Sequence, residues 1–200
     1  MQGIVLENLV ILYVKKNVPM GKSFKEIQAA LATMRRKDVE NLLIKAMRDS
    51  DSFYQYVWVN HLDKEAGEAQ VFEQYKAEIK ALLKKGYRGA SLELRAANMI
   101  AACKKKLDAF IKVCKAKDKA VELGLYVAEH PATDYEGHSG TCYTKYDFEY
   151  YMLFKKIRSL YQALHHDIQY EYTERLQKML TQLKKHFRHL DYVYDLPDEL

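Results

Sequence analysis

The sequence predicts an all-α fold: about eight helices in stacked antiparallel hairpins, forming a helical-repeat-like array or a bundle. Three observations carry this expectation. Apolar residues recur at helical spacing along the chain, and no alternating strand segment appears after residue 20. Only 8 Gly and 3 Pro are spread over 200 residues, which leaves little room for β-turns or long linkers. Finally, the stretch 96–130 joins a one-sided helical pattern to one that is apolar nearly all round. The break between them falls at Lys115-Ala116-Lys117-Asp118. That is the pattern of a helical hairpin whose second arm is enclosed by further helices.

Each element has its own signal. Residues 1–20 form an apolar N-terminal element in which helix and strand compete, because Val, Ile and Leu are dense there. Ser23 and Glu26 fit a capping box that opens a helix with Phe24, Ile27, Leu31 and Met34 on one face. After the basic turn Arg35-Arg36-Lys37, Asp38 opens a second helix with Val39, Leu42, Leu43, Ala46 and Met47 inward. The cluster Asp49-Ser50-Asp51-Ser52 restarts the chain, and a third helix is expected to bury Tyr54, Val57, Trp58 and Leu62. Lys64 to Gly67 should break it. A fourth helix then runs to about Lys85 with Phe72, Tyr75, Ile79, Leu82 and Leu83 on a stripe, and Gly86 stands where a left-handed C-cap belongs.

Ser91 is the expected N-cap of a fifth helix, 92–115, with Met99, Ile100, Cys103, Leu107, Phe110, Ile111 and Cys114 inward. Asp118 should cap the sixth, which stops at His130 because Pro131 follows. Within it, Gly124 on an enclosed helix predicts close approach by a neighbour. Residues 131–142 read as loop. The seventh helix, 144–165, carries Phe148, Tyr151, Phe154, Ile157, Leu160, Tyr161 and Leu164. The eighth, 168–190, carries Tyr172, Leu176, Met179, Leu180, Leu183, Phe187 and Leu190. Residues 191–200 form an acidic tail. The length suits a single all-helical domain over 1–200.

Two segments carry a resemblance. Residues 24–65 pair a short helix and polar turn with Asp38-Val39-Glu40-Asn41-Leu42-Leu43. Residues 101–130 pair a Lys-Lys-x-Leu-x-x-Phe helix (Lys104 to Phe110) with a second helix running through Leu125-Tyr126 to Glu129. Over about residues 23–190 this order resembles an uncharacterised bacterial all-helical domain family. Similar helical pairs occur in the helical regions of SWIM zinc-finger proteins. The resemblance implies an all-α fold and no reaction. The Cys/His set of a SWIM finger is missing here, so zinc-finger activity does not carry over, and the apolar segment before residue 20 is a departure.

Three Cys, at 103, 114 and 142, are an odd number with no framework spacing, which points to buried thiols in a reducing, cytoplasmic compartment. Cys103 and Cys114 share the inward face of one helix. They stand about 16 Å apart along it, beyond disulfide reach. The N-terminal apolar run is too short to span a bilayer, so no membrane is expected. His130, Asp134, His138 and Cys142 could offer zinc ligands around the 131–142 loop, but at a spacing that matches no known motif. An ordinary polar loop is the preferred reading, so no metal and no cofactor are expected. His165, His166, His186 and His189 fall at opposite helix ends. No triad, phosphate loop or metalloprotease motif is present, and no catalytic residue is assigned.

Charge says more. Residues 76–119 carry 13 Lys/Arg against 4 Asp/Glu, in a chain whose net charge is +5. Lys104, Lys105, Lys106, Lys112, Lys115, Lys117 and Lys119 could form a surface for nucleic acid or an acidic partner. A solvated helix face is the plainer reading. The 16 Tyr, including Tyr143, Tyr146, Tyr150, Tyr151, Tyr161, Tyr170 and Tyr172, suit helix seams and partner contacts better than base stacking. The functional expectation is a non-enzymatic interaction module that binds a protein partner or a second copy of itself. The alternative is nucleic-acid association through residues 76–119.

Overall fold

The computed structural model describes residues 23–133, 145–187, 190–194 and 196–200. Among these, eight α-helices and no strand are found. They are α1 (Phe24–Thr33), α2 (Arg36–Asp49), α3 (Asp51–Val57), α4 (Lys64–Lys84), α5 (Leu92–Val113), α6 (Lys117–Ala128), α7 (Lys145–Gln162) and α8 (His166–His186). The fold is therefore all-α, as the periodicity predicts. The N-terminal element 1–20 lies outside the described residues. The chain divides into two compact units, the first ending at Gly67 and the second starting at Glu68.

The first unit is lightly packed. Ser23 makes both halves of the capping box on α1: its hydroxyl accepts from the Glu26 amide at 3.4 Å, and its own amide donates to Glu26 Oε2 at 2.5 Å. Neither α1 nor α2 has a fully buried residue. The small core is Phe53, Tyr56 and Val57 of α3, covered by Leu43, Ala46 and Met47 of α2. Helix α3 then widens into one π-helical turn, Trp58–Leu62, closed by the Asp63 amide on the Trp58 carbonyl at 3.0 Å. The Asn60 side chain donates to the Tyr56 carbonyl at 2.8 Å, supplying a bond to a carbonyl near the point where the ladder changes pitch.

This turn corrects three expectations. Tyr54 and Leu62 are exposed and Trp58 is only half-buried, because Phe53, Tyr56, Val57 and Val59 occupy the inward face instead. The third helix breaks at Asp63, whose carboxylate accepts from the Ala66 amide, so α4 starts at Lys64 and Gly67 lies inside it. A Cβ on Gly67 would meet the Val59 backbone at 3.1 Å, so glycine is there for close approach. Leu42 is also outward, at the edge of the α2 face that meets Phe53.

The second unit holds the main core. Helix α6 packs on α5, α7 and α8, and Ala120, Val121, Leu123, Gly124, Leu125 and Val127 are all buried. Fully burying a Leu such as Leu123 or Leu125 stabilises by about 1.5–3 kcal/mol before entropy is counted. The pairs Lys145–Asn98, Glu149–Lys104 and Lys156–Asp108 advance together along both helices, so α5 and α7 run parallel. Helix α6 runs against both, as Lys117 to the Ala163 carbonyl and Gly124 beside Ile157 require. Tyr161–Thr173 and Tyr150–Phe187 set α8 antiparallel to α7. The second-unit part of α4 lies along α5 through Tyr75 and Phe72 against Phe110, at ring distances of 5.5 and 6.4 Å.

The helix ends follow the sequence expectation at some positions and depart from it at others. Ser91 Oγ accepts from the Leu94 amide at 3.2 Å. The Thr133 hydroxyl sits among the carbonyls of Val127, Ala128 and His130, at 3.1, 3.0 and 2.6 Å, closing α6. His165 and His166 open α8 rather than end α7. Gly86 does not adopt left-handed backbone, and Asp118 lies in the first turn of α6 without capping it. Phe148 is exposed, since at about 100° per residue it faces away from Tyr146, Tyr150 and Ile157. The stripe Tyr172, Leu176, Met179, Leu180, Leu183, Phe187 and Leu190 is buried throughout. Val193 and Leu196 of the tail are buried as well.

Candidate interaction surface

In the first unit, α3 and its π-turn place Tyr54, Trp58 and Leu62 four residues apart on the outward side. Tyr54 is 49% exposed and Leu62 70%. The Tyr54 and Trp58 rings touch, with centroids 6.2 Å apart and planes tilted by 35°. The π-turn closes one residue later than an α-turn and so rotates less per residue. Leu62 thereby stays in line with the two aromatics instead of precessing past them. In sequence the stripe is preceded by Arg48, Asp49 and Asp51 and followed by Asp63, Lys64 and Glu65, all exposed, and none of the four carboxylates is in an ion pair among the described residues. Residues 49–65 hold four carboxylates and one lysine, the reverse of the chain's overall sign.

The lysines of residues 104–119 differ in burial and in partners. Lys104 is largely buried and bonds Glu149 at 2.9 Å. Lys106 bonds Glu78 at 2.5 Å and lies 5.4 Å from the Tyr75 ring centre. Burial alone would raise the Glu78 carboxyl, but hydrogen bonds from Lys106 and Gln74 hold it below its ordinary range. Lys117 donates to the Ala163 carbonyl at 3.3 Å, and Lys119 stands 6.0 Å from the Phe72 ring centre. Lys105, Lys112 and Lys115 are exposed.

Cys103 and Cys114 are both buried, and burial pushes the Cys103 thiol up to about 12. Of the loop quartet, His130 is half-buried at the end of α6, while Asp134, His138 and Cys142 lie outside the described residues, as does His189. Among the described residues no group of three metal-ligating side chains comes together. Tyr146, Tyr150, Tyr151, Tyr161 and Tyr172 are core residues, Tyr170 is 70% exposed, and Tyr143 is outside the described residues.

Two features escape sequence reasoning. Asp147 is fully buried in the first turn of α7, where the helix N-terminus favours its charge. Beside α6 and α8 opens a groove of about 1060 Å³ floored by Leu125, Tyr150 and Met179. On its wall Arg175 bonds Glu129 at 2.7 and 2.8 Å and Glu122 at 2.5 and 3.4 Å. The Thr173 and Thr181 hydroxyls donate to the carbonyls of Gln169 and Gln177, four residues back, which is ordinary helix-surface bonding. No helix among the described residues is long and apolar enough to cross a membrane. No family model, curated protein or solved structure matches the chain.

Proposed function

We propose that the chain is a non-enzymatic helical module that binds a protein partner through its first unit. The observation that carries this is the outward Tyr54–Trp58–Leu62 stripe on a helix whose opposite face is already buried. Aromatic residues beside an aliphatic one, ringed by polar groups, are the side chains that dominate protein interfaces. The buried thiols of Cys103 and Cys114 fit a reducing, cytoplasmic setting.

A second reading, nucleic-acid association, has narrower support than the lysine count gives it. Lys105 and Lys112 are exposed two turns apart on α5, and Lys115 follows. Affinity capture with and without nuclease separates the two readings when run on three proteins: the native chain, Tyr54→Lys/Leu62→Lys, and Lys105→Glu/Lys112→Glu/Lys115→Glu. The expected result is a nuclease-resistant protein partner lost only with the first variant. Capture abolished by nuclease and by the lysine reversals, and indifferent to the stripe, would replace the first reading by the second.

A further inference from the structure

We infer that the occupant of the Tyr54–Trp58–Leu62 stripe is a basic amphipathic α-helix of the partner. This rests on the reading of the first unit as a protein-binding surface and adds the chemistry of what it binds. The stripe follows a helix axis for about 12 Å, roughly two turns. A ridge of side chains at that spacing packs into the groove of a second helix, and the described residues present no sheet edge to which a strand could add. The partner helix would carry apolar residues at three- and four-residue spacing to meet Tyr54, Trp58 and Leu62.

The segment that carries the stripe is acidic. Asp49 and Asp51 precede the stripe in sequence and Asp63 and Glu65 follow it, against Arg48 and Lys64, and none of the four carboxylates forms an ion pair within the described chain. Asp63 also caps α4, and this bond leaves its charge in place. Carboxylates placed so repel phosphate backbones and anionic lipid and attract Lys or Arg on either side of an apolar face. The rest of the chain is cationic, so general electrostatics would favour an acidic ligand over a basic one. A preference for a basic helix can therefore come only from this acidic region.

Trp58 is the single tryptophan, so its emission reports on the stripe alone. The test titrates the full chain with a tryptophan-free Leu/Lys amphipathic peptide of about 18 residues, five helical turns, and with its Leu/Glu counterpart. The Lys peptide is expected to shift Trp58 emission to the blue and saturate, while the Glu peptide leaves it unmoved. Asp51→Asn/Asp63→Asn/Glu65→Gln should weaken the Lys peptide by about tenfold, the yield of three exposed ion pairs together. Leu62→Glu should weaken it as well. A Glu peptide that moves Trp58 equally, or a Lys peptide indifferent to the neutralised variant, overturns the basic helix. So does a Lys peptide that leaves Trp58 unmoved. Emission that shifts with protein concentration alone replaces it with a second copy of this chain. Each of these failures leaves the partner-capture experiment to decide the broader reading.

Discussion

A Cβ built on Gly124 would lie 2.6 Å from Ile157 Cγ1 and 3.1 Å from its Cδ1, so α6 and α7 meet where only a hydrogen atom fits. Ile157 is fully buried and Leu107 Cδ2 stands behind the same point at 3.5 Å, which leaves little room to yield. Gly124→Leu should destabilise by overpacking, on the order of 1–3 kcal/mol. Gly124→Ala should cost less, because alanine recovers about 1 kcal/mol of helix propensity. Urea denaturation of Gly124→Ala, Ile157→Ala and the double variant should show favourable coupling, since Ile157→Ala removes the atom that the new methyl meets. Strict additivity would mean the helices separate freely at this point.

Reversing Lys104 should cost about 2 kcal/mol, between the values for exposed and fully buried pairs, because Glu149 would face a like charge in a largely buried seam. Lys105→Glu, on the exposed side, should stay within about 0.5 kcal/mol. Thermal denaturation of the two single variants checks the contrast. Equal effects would show that the Lys104–Glu149 bond contributes nothing.

Arg175→Met should destabilise by about 1 kcal/mol, since it leaves Glu122 and Glu129 facing each other without the guanidinium that joins them. Arg175→Lys should recover only part, as an ammonium cannot span both carboxylates in the same fork. Because these groups are partly exposed, the loss should shrink in high salt, and a melting series against ionic strength measures it.

Alkali should unfold the second unit from pH 9 upward. Burial raises the Cys103 thiol from 9.0 to about 12, and burial followed by nearby carboxylates raises the Tyr75 and Tyr172 hydroxyls above 10.0. A raised pKa means the folded chain holds the proton that the unfolded chain releases. Stability is thus intact below pH 9 and declines as pH rises toward 12, at up to about 1.4 kcal/mol per pH unit for each proton. Urea midpoints between pH 8 and 11 read this directly. In a Cys142→Ser background, thiol reagents at pH 8 should label Cys103 and Cys114 only as fast as the chain opens.

Much of the fold was legible because it rests on local rules. The capping box at Ser23, the Ser50 and Ser91 caps and the α8 stripe each follow from residue type and spacing. Gly124 announced its close contact by being a glycine among large apolar residues. The stripe on α3 was legible as a stripe but not as a surface. Tyr54, Trp58 and Leu62 and the set Phe53, Tyr56 and Val57 are both apolar at helical spacing, and only the tertiary contact with α2 chooses between them. The π-turn has no signal in composition. The ion pairs of Lys104 and Lys106 were not legible either, because their partners lie 45 and 28 positions away, at Glu149 and Glu78.

The parallel pairing of α5 with α7 bears on how the chain is made. The side-chain partners of Asn98, Lys104 and Asp108, and the side chain that fills the space beside Gly124, come from residues 145–157. A nascent chain that has emerged only through α6 can pair α5 with α4 and α6, but the apolar surface that α7 and α8 cover is still open. Release or premature termination before Ile157 would leave that surface to pair between molecules, so the chain is exposed to aggregation until α7 and α8 have been made.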